Sequence, residues 1–292
     1  TLNFLGSRKI LKGVDVAVIG SWEIPIYIAT ILKAKRLNIP IVQFYESTSL
    51  SQKFRSGIVA RIRSYLLKQS AIIVTFGVKS TQAVVGMGIE RKAILELYNA
   101  ADVNFFHEFA MMNRKLSSLG HRFLYVGQLI ERKNVKNIIE AFYSICETED
   151  SLTIAGDGVL RKELTEIVDQ LNLRHQVFFV GHKNLNDLAA IYSESHTLVL
   201  ASTNEVWGLV VNEALASGMH AVISNVCGVA EEVKEMKGTF ICDTSSNSIG
   251  FQMARSRATW CGPIEQPEII EYTPVKFATE LMNRIDQVIT GD

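Results

Sequence analysis

The chain has 292 residues, 48% of them hydrophobic, and its 30 Lys plus Arg are balanced by 30 Asp plus Glu. That length suffices for two domains with separate cores, and the neutral balance gives no reason to expect nucleic acid or another strongly charged partner. The four cysteines (Cys146, Cys227, Cys242, Cys261) have no CxxC spacing or histidine cluster, so they read as reduced thiols of a cytosolic protein; with no apolar run of membrane-spanning length and no signal-peptide pattern, a soluble cytoplasmic protein is expected.

Short apolar runs rich in β-formers alternate with segments of helical period. Strands are predicted at 14–19, 39–44, 71–75, 93–97, 122–126, 152–155, 176–180, 197–200 and 220–223, and helices at 25–37, 56–68, 134–147, 161–171, 186–192 and 209–217. This order predicts an α/β protein with parallel sheets covered on both faces. Many of the strands are followed by glycine or a polar residue, where doubly wound folds place their ligands. The seam is expected within 102–120, giving a first domain over 1–110, a second over 111–271, and a C-terminal helix over 272–292. In that helix Thr273 is the predicted N-cap and Pro274 the first residue.

In chain order, the first polar loop of interest is Gln43-Phe-Tyr45-Glu46-Ser47-Thr48. Glu46 there could contact a hydroxyl of a bound molecule or cap the following turn. From Ser47 to Gly88 there is no acid, whereas Lys53, Arg55, Arg61, Arg63, Lys68 and Lys79 are basic. Ile58, Val59, Ile62, Leu66 and Leu67 add an apolar stripe, so 53–68 reads as a basic amphipathic helix. It either packs on its sheet as an ordinary surface helix or meets anionic lipid headgroups.

Further on, Val126-Gly127-Gln128-Leu129-Ile130-Glu131-Arg132-Lys133 carries two adjacent cations between a strand and a helix. The loop Ala155-Gly156-Asp157-Gly158 permits a tight turn and close backbone approach, and Val180-Gly181-His182 ends another strand. The richest run is 202–218, with Glu205 in a polar loop, Gly208 at the start of a helix, Glu213 about one turn into it, and Gly218 just past its end. A helix N-terminus suits a phosphate, and flanking carboxylates can accept hydrogen bonds from the hydroxyls of a sugar and a ribose. The loop Asn225-Val-Cys227-Gly228-Val229 follows; Cys227 reads as a small buried residue.

The run Glu205-Val-Trp-Gly-Leu-Val-Val-Asn-Glu213 resembles the acid-x7-acid motif of retaining glycosyltransferases of family four, in its Glu-Pro-Trp-Gly-Leu-Val-Val-Asn-Glu variant. The resemblance runs from about Gly13 to the end and is strongest from Phe123 to Val233. It implies the GT-B fold, two Rossmann-like domains facing across a cleft, with the C-terminal helix returning to the first. Family members begin with a strand and a glycine-rich loop. About two βα units of that kind are not seen before Val14, so the first domain is expected to be incomplete, in a truncated or degenerate member.

The implied activity moves a sugar from a nucleotide-sugar donor to a hydroxyl of a saccharide or lipid-linked acceptor. Anomeric configuration is retained, and family usage points to bacterial cell-surface polysaccharide or glycolipid synthesis. The alternatives are a non-catalytic donor-binding module or another GT-B enzyme, an epimerase or phosphorylase. By resemblance Lys133, with Arg132 nearby, balances the donor diphosphate, and Gln128 stands where the family usually has Arg. Glu205 holds hydroxyls of the transferred sugar and Glu213 those of the ribose. Gly208, Leu209 and Val210 offer N–H groups to the phosphates, while Gly127, His182 and Gly228 lie beside the donor. Trp207 is expected to pack. No Asp-x-Asp pair is present, so metal-independent transfer with no cofactor beyond the donor substrate is expected.

Overall fold

The computed structural model describes residues 11–52, 54–115 and 119–291. Lys53, one member of the basic run, lies outside the described residues. Every strand pairing is parallel, and the chain divides into two compact units, Thr1–Asn99 with Val275–Asp292, and Ala100–Pro274. No helix among the described residues is long and apolar enough to cross a membrane.

The first unit has strands β1 (Ala17–Ile19), β2 (Ile41–Tyr45), β3 (Ile72–Phe76) and β4 (Ile94–Leu97), side by side in that order. Helices α1 (Pro25–Arg36), α2 (Gly57–Leu67) and α3 (Gly77–Val85) connect them. All five residues of β3 are buried, as a strand covered on both faces requires. Successive side chains point to opposite faces. Thus Val42, Ile72, Val74 and Leu97 form one layer with Ile285, a residue of the last helix, α11 (Pro274–Thr290). Pro274 is its first residue, and Phe277 stacks on Phe76 with ring centroids 6.1 Å apart.

Helix α2 departs from the sequence expectation. Its apolar stripe splits: Leu66 and Leu67 are buried, whereas Ile58 and Ile62 face outward beside exposed Tyr65. Arg63, counted from sequence in the basic run, shares the inner side with Leu66 and Leu67 and is buried, because positions three and four apart fall on one helix face.

The second unit runs through α4 (Val103–Asn113), β5 (Arg122–Val126), α5 (Val135–Ile145), β6 (Ser151–Ala155), α6 (Arg161–Gln170), β7 (Val177–Gly181), α7 (Leu185–Ser193), β8 (Thr197–Leu200), α8 (Leu209–Ala216), β9 (His220–Ser224), α9 (Ala230–Val233), β10 (Thr239–Cys242) and α10 (Ser246–Ala258). Its sheet order is β10-β9-β8-β5-β6-β7. The chain therefore winds outward from β5 through β6 to β7, returns to the other side of β5 as β8, and winds the opposite way. The order reverses between β5 and β8, and such a switch point opens a crevice at the carboxyl ends of the two strands. Below it, Phe123, Tyr125, Ile138, Phe142, Ile154 and Met253 belong to one fully buried cluster.

The sequence did not reveal α3, α4, β10 or α10. Helix α10 carries few apolar residues among Ser, Asn and Arg. It is set by contact: Gly250 lets it approach α5 so closely that an added Cβ would lie 3.0 Å from Ser144 Oγ.

Candidate functional site

Three glycines continue the ends of β5, β6 and β7. Gly127 N–H donates to Ala155 O (3.0 Å) and Gly156 N–H to Gly181 O (2.8 Å). At Gly156, φ is +141° and a Cβ would fall 1.8 Å from Gly127 O, so only glycine fits. The two loops then zip together, with Leu129 N–H donating to Asp157 O (2.9 Å) and Leu160 N–H to Leu129 O (3.0 Å). The result is a cavity of about 450 Å³ lined by Gly127, Gln128, Gly156, Asp157, His182 and Lys183. Three sequence-predicted residues, Gly127, Gln128 and His182, thus share one hollow with bare backbone as its floor. Gln128 contributes its carbonyl, which accepts the Tyr125 hydroxyl at 2.9 Å.

The two cations reach the switch point through a short chain of backbone contacts. Residues Glu131–Lys133 form one tight helical turn that ends on Asn134 at φ +58°, a conformation asparagine tolerates better than most residues. The Asn134 amide donates to Ala201 O (3.0 Å), at the end of β8, and to Thr244 O (2.8 Å), after β10. Thr203 N–H donates to Arg132 O at 2.9 Å. The loop after β5 is therefore laced to the loop after β8, and Lys133 lands on Glu205.

Lys133 Nζ donates to Glu205 Oε2, and both side chains are 12% exposed. Ser202 Oγ donates to the same carboxylate oxygen at 3.3 Å, with the more exposed Arg132 guanidinium 3.7 Å away. Arg132 also holds Asn204 O at 3.1 Å. A half-buried carboxylate with two cations is a charge-assisted cluster, and splitting it without replacing a charge is costly.

The backbone beyond Glu205 is fixed by the loop after β9. Gly228 N–H donates to Glu205 O (3.1 Å) and Val229 N–H to Trp207 O (3.2 Å). Gly228 is pressed flat against Val206, whose carbonyl oxygen would be 1.8 Å from an added Cβ. It serves close approach here. Trp207 is 3% exposed and its indole N–H points to Asn212 Oδ1 at 3.4 Å, so it packs as expected. Cys227 is fully buried.

Gly208 adopts φ +105° as the N-cap of α8, with no side chain capping the helix. A Cβ there would meet Leu200 Cδ2 at 2.7 Å. The amides of Leu209 and Val210 follow at the uncapped end, where a helix leaves N–H groups without intrahelical partners. One turn on, Glu213 is half-buried and accepts the hydroxyl of fully buried Tyr192 at 2.7 Å. Burial pushes the Glu213 carboxyl above its ordinary value, and the Tyr192 hydrogen bond pulls partly back. Burial, with the Glu205 charge nearby, also raises the Tyr125 phenol well above its ordinary value.

Sequence reasoning missed Tyr125, Tyr192 and Lys183 as site neighbours. The tyrosines sit within a strand and a helix with no motif of their own, and only the fold brings them to the carboxylates. Glu46 lies in the other unit, exposed after β2. The turn that follows it is closed by Thr48 N–H donating to Ser51 Oγ (2.8 Å) and Ser51 N–H donating to Thr48 Oγ1 (3.3 Å).

Residues 115–252 match the family described as Glycosyl transferases group 1. Over 139 residues the chain is 34% identical to the uncharacterized glycosyltransferase MJ1607 of Methanocaldococcus jannaschii, covering 47% of this chain and 36% of that one. The chain therefore spans about a third of that relative's length. Among solved structures, Anabaena Alr3699/HepE in complex with UDP superposes with a TM-score of 0.72 at 16% identity, over 94% of this chain and 78% of that one. The lipopolysaccharide outer core galactosyltransferase WaaB, in its apo form, gives 0.78 at 15% identity, over 97% and 78%. Two parallel α/β sheets with this likeness make the fold GT-B, and within it residues 115–252 are similar to the glycosyl transferases group 1 family.

Proposed function

We propose that the protein transfers a sugar from a nucleotide-sugar donor to an acceptor hydroxyl, with retention at the anomeric carbon. The observation that carries this is the convergence of Lys133, Arg132 and Glu205 at the switch point of the second sheet, beside the uncapped start of α8. HepE, a structural neighbour, has been crystallised with UDP and with UDP-glucose, which supports a nucleoside diphosphate as the donor's handle.

The donor diphosphate rests against the Leu209 and Val210 amides at the α8 N-terminus. Lys133 has three donors, of which one is engaged by Glu205. The others stabilise the negative charge that grows on the leaving phosphate, and Arg132, half-exposed, swings to the same oxygens in place of the Arg that Gln128 does not supply. As the diphosphate draws Lys133 toward itself, Glu205 gains capacity to accept sugar hydroxyls. Glu213 keeps one oxygen for the ribose, since Tyr192 occupies only Oε2. Gly127, Gln128, His182 and Gly228 line the path of the nucleotide. No metal or cofactor beyond the donor is invoked.

The acceptor belongs to a cell-surface polysaccharide or glycolipid pathway, and the protein works in the cytoplasm. Exposed Ile58, Ile62 and Tyr65 beside Arg61 on α2 suit contact with an anionic membrane face. The test is a panel of nucleoside diphosphates and nucleotide sugars in thermal shift, followed by an acceptor screen with the product anomer read by NMR. A ligand that binds the folded state raises its stability by mass action. If no nucleoside diphosphate raises the melting temperature, the proposal fails; an inverted product removes retention alone.

A further inference from the structure

Arg63 is 5% exposed, yet no carboxylate among the described residues lies within ion-pair distance of it. One guanidinium nitrogen donates to Gln52 Oε1 (3.1 Å) and Phe54 O (2.9 Å), and Nε has no partner. The Trp22 ring lies 5.8 Å from the guanidinium carbon. A buried charge with no counter-charge is costly, and a fold that keeps one is prepared for an anion.

A second buried donor faces the same space. Tyr45 is 4% exposed, and its hydroxyl has no partner at good hydrogen-bonding geometry; the nearby Ser47 hydroxyl makes only a weak contact with it. Tyr45, Arg63 and Trp22 line one cavity of about 440 Å³, which Ser47 and exposed Glu23 complete. It opens after the carboxyl ends of β1 and β2, where parallel α/β sheets take their ligands. Arg63 also borders a second cavity of about 790 Å³, walled by Arg55, Arg61 and Lys68. With no acid from Ser47 to Ile89, the field in both hollows favours an anion. Buried donors and an exposed carboxylate, Glu23, in one lining fit a molecule with an oxyanion and a hydroxyl.

We propose that the Arg63–Tyr45 cavity binds the phosphate group of a phosphorylated, hydroxyl-bearing molecule, which is the acceptor in the transfer proposed above. Arg63 grips the phosphate oxygens as a fork and the Tyr45 hydroxyl donates to a third. Glu23 accepts from a hydroxyl of the same molecule. The binding rests only on these residues, and the acceptor role rests on the transferase reading. The phosphate can sit on a soluble sugar or on a lipid headgroup, and both present the same oxygens.

The test uses the whole 292-residue chain in calorimetry and thermal shift. The probes are inorganic phosphate, a hexose 6-phosphate, the unphosphorylated hexose, and vesicles of phosphatidylglycerol or phosphatidylcholine. The hexose phosphate, or phosphatidylglycerol vesicles, should bind saturably where the hexose or phosphatidylcholine does not, and whichever binds identifies the source. Tyr45→Phe and Arg63→Met should each weaken that binding by about tenfold or more. Without phosphate, Arg63→Met should melt no lower than the parent, because its unpaired charge is gone. UDP should shift both variants as it shifts the parent, so a failure of the donor reading shows separately. The proposal is overturned if no phosphate-bearing probe binds, or if Tyr45→Phe binds it undiminished. An Arg63→Met chain that melts far lower while Tyr45→Phe behaves as the parent also overturns it, since Arg63 is then structural.

Discussion

The two ends of the second sheet treat polar side chains in different ways. At the carboxyl ends of β5 and β8 the chain gathers charge: Lys133, Arg132 and Glu205 pair in a half-buried cluster. At the amino ends of β5, β8 and β9 it buries three histidines, beside an Asp150–Arg257 ion pair whose carboxylate accepts the His121 backbone N–H at 2.7 Å. His121, His196 and His220 ring Trp260, with centroids 5.9, 5.1 and 4.8 Å from the indole. His121 Nε2 meets Thr197 Oγ1 at 2.7 Å, Thr197 Oγ1 meets Ser256 Oγ at 2.7 Å, and Ser256 Oγ meets His220 Nδ1 at 3.1 Å. His196 Nδ1 accepts from Arg122 N–H at 2.7 Å. One end sets its ions beside the uncapped start of α8. The other ties its rings and its Asp150–Arg257 pair to fixed protein partners. Burial and ion pairing are common to both ends; the uncapped helix start belongs to one.

The largest expected effect tests the charged end. Lys133→Ala and Glu205→Gln should each lower turnover by about two to three orders of magnitude, the scale seen when a preorganised transition-state donor is lost. Steady-state rates with a matched donor and acceptor check this. Near-parental rates in both variants would make that end as structural as the other. Next comes the backbone beneath it. Gly156→Ala places a Cβ 1.8 Å from Gly127 O, and backbone cannot yield as a flexible side chain does. A loss of about 3 kcal/mol or more is expected in urea unfolding, together with loss of nucleotide binding. A smaller loss would mean that the two glycine loops part easily.

Much of the charged end was legible in the sequence. The Glu205-to-Glu213 run, the Arg132-Lys133 pair and the glycine loops are local patterns, and strand–helix alternation gave the parallel sheets nearly in full. What stayed hidden is what only tertiary contact creates. No spacing indicates that Asn134 ties β8 to β10, that Tyr192 reaches Glu213, or that Arg63 turns inward. Helix α3 begins directly at the end of β3 with no side-chain cap and a polar Lys79-Ser-Thr-Gln82 stretch, and β10 is a four-residue edge strand, so neither shows a clear helix or strand period. The three histidines are 24 to 99 residues apart in sequence, and nothing local marks them as neighbours.

Acid sharpens the comparison from the histidine end. Burial holds His121 down at about 3, helped by its neighbours His196, His220 and Arg257. It holds His196 at about 4, with Arg122 and Arg114 assisting and Asp150 opposing, and it lowers His220 as well. An unfolded histidine titrates near 6.5. Below that pH the unfolded chain binds protons that the folded one refuses, so stability falls as pH drops from about 6.5 toward about 4 and is unaffected by these groups above about 7. Each histidine contributes about 1.4 kcal/mol per pH unit within its window. Urea unfolding from pH 7 to pH 4.5 should show this slope, and His121→Gln should flatten it by one histidine's share whatever it does at neutral pH. An unchanged slope would mean that His121 is protonated in the folded protein.

The smallest expected effect returns to the ligand end, where Glu213 combines both habits: it is sheltered like the histidines yet proposed to bind ligand. Its carboxyl is raised by burial, and the Tyr192 hydroxyl partly restores it. Tyr192→Phe keeps the ring against Phe106, 5.5 Å away at 88°, and removes only the donor. The carboxyl then rises further, and the ionised form that accepts ribose hydroxyls is lost at a higher pH. UDP affinity should therefore fall by less than about tenfold at pH 8, in line with one hydrogen bond of ~1 kcal/mol. The gap from the parent should widen as the pH is lowered through the carboxyl's titration. Binding measured as a function of pH checks it. A constant gap would mean that Tyr192 positions Glu213 without tuning it, and no gap would place Glu213 outside the nucleotide's reach.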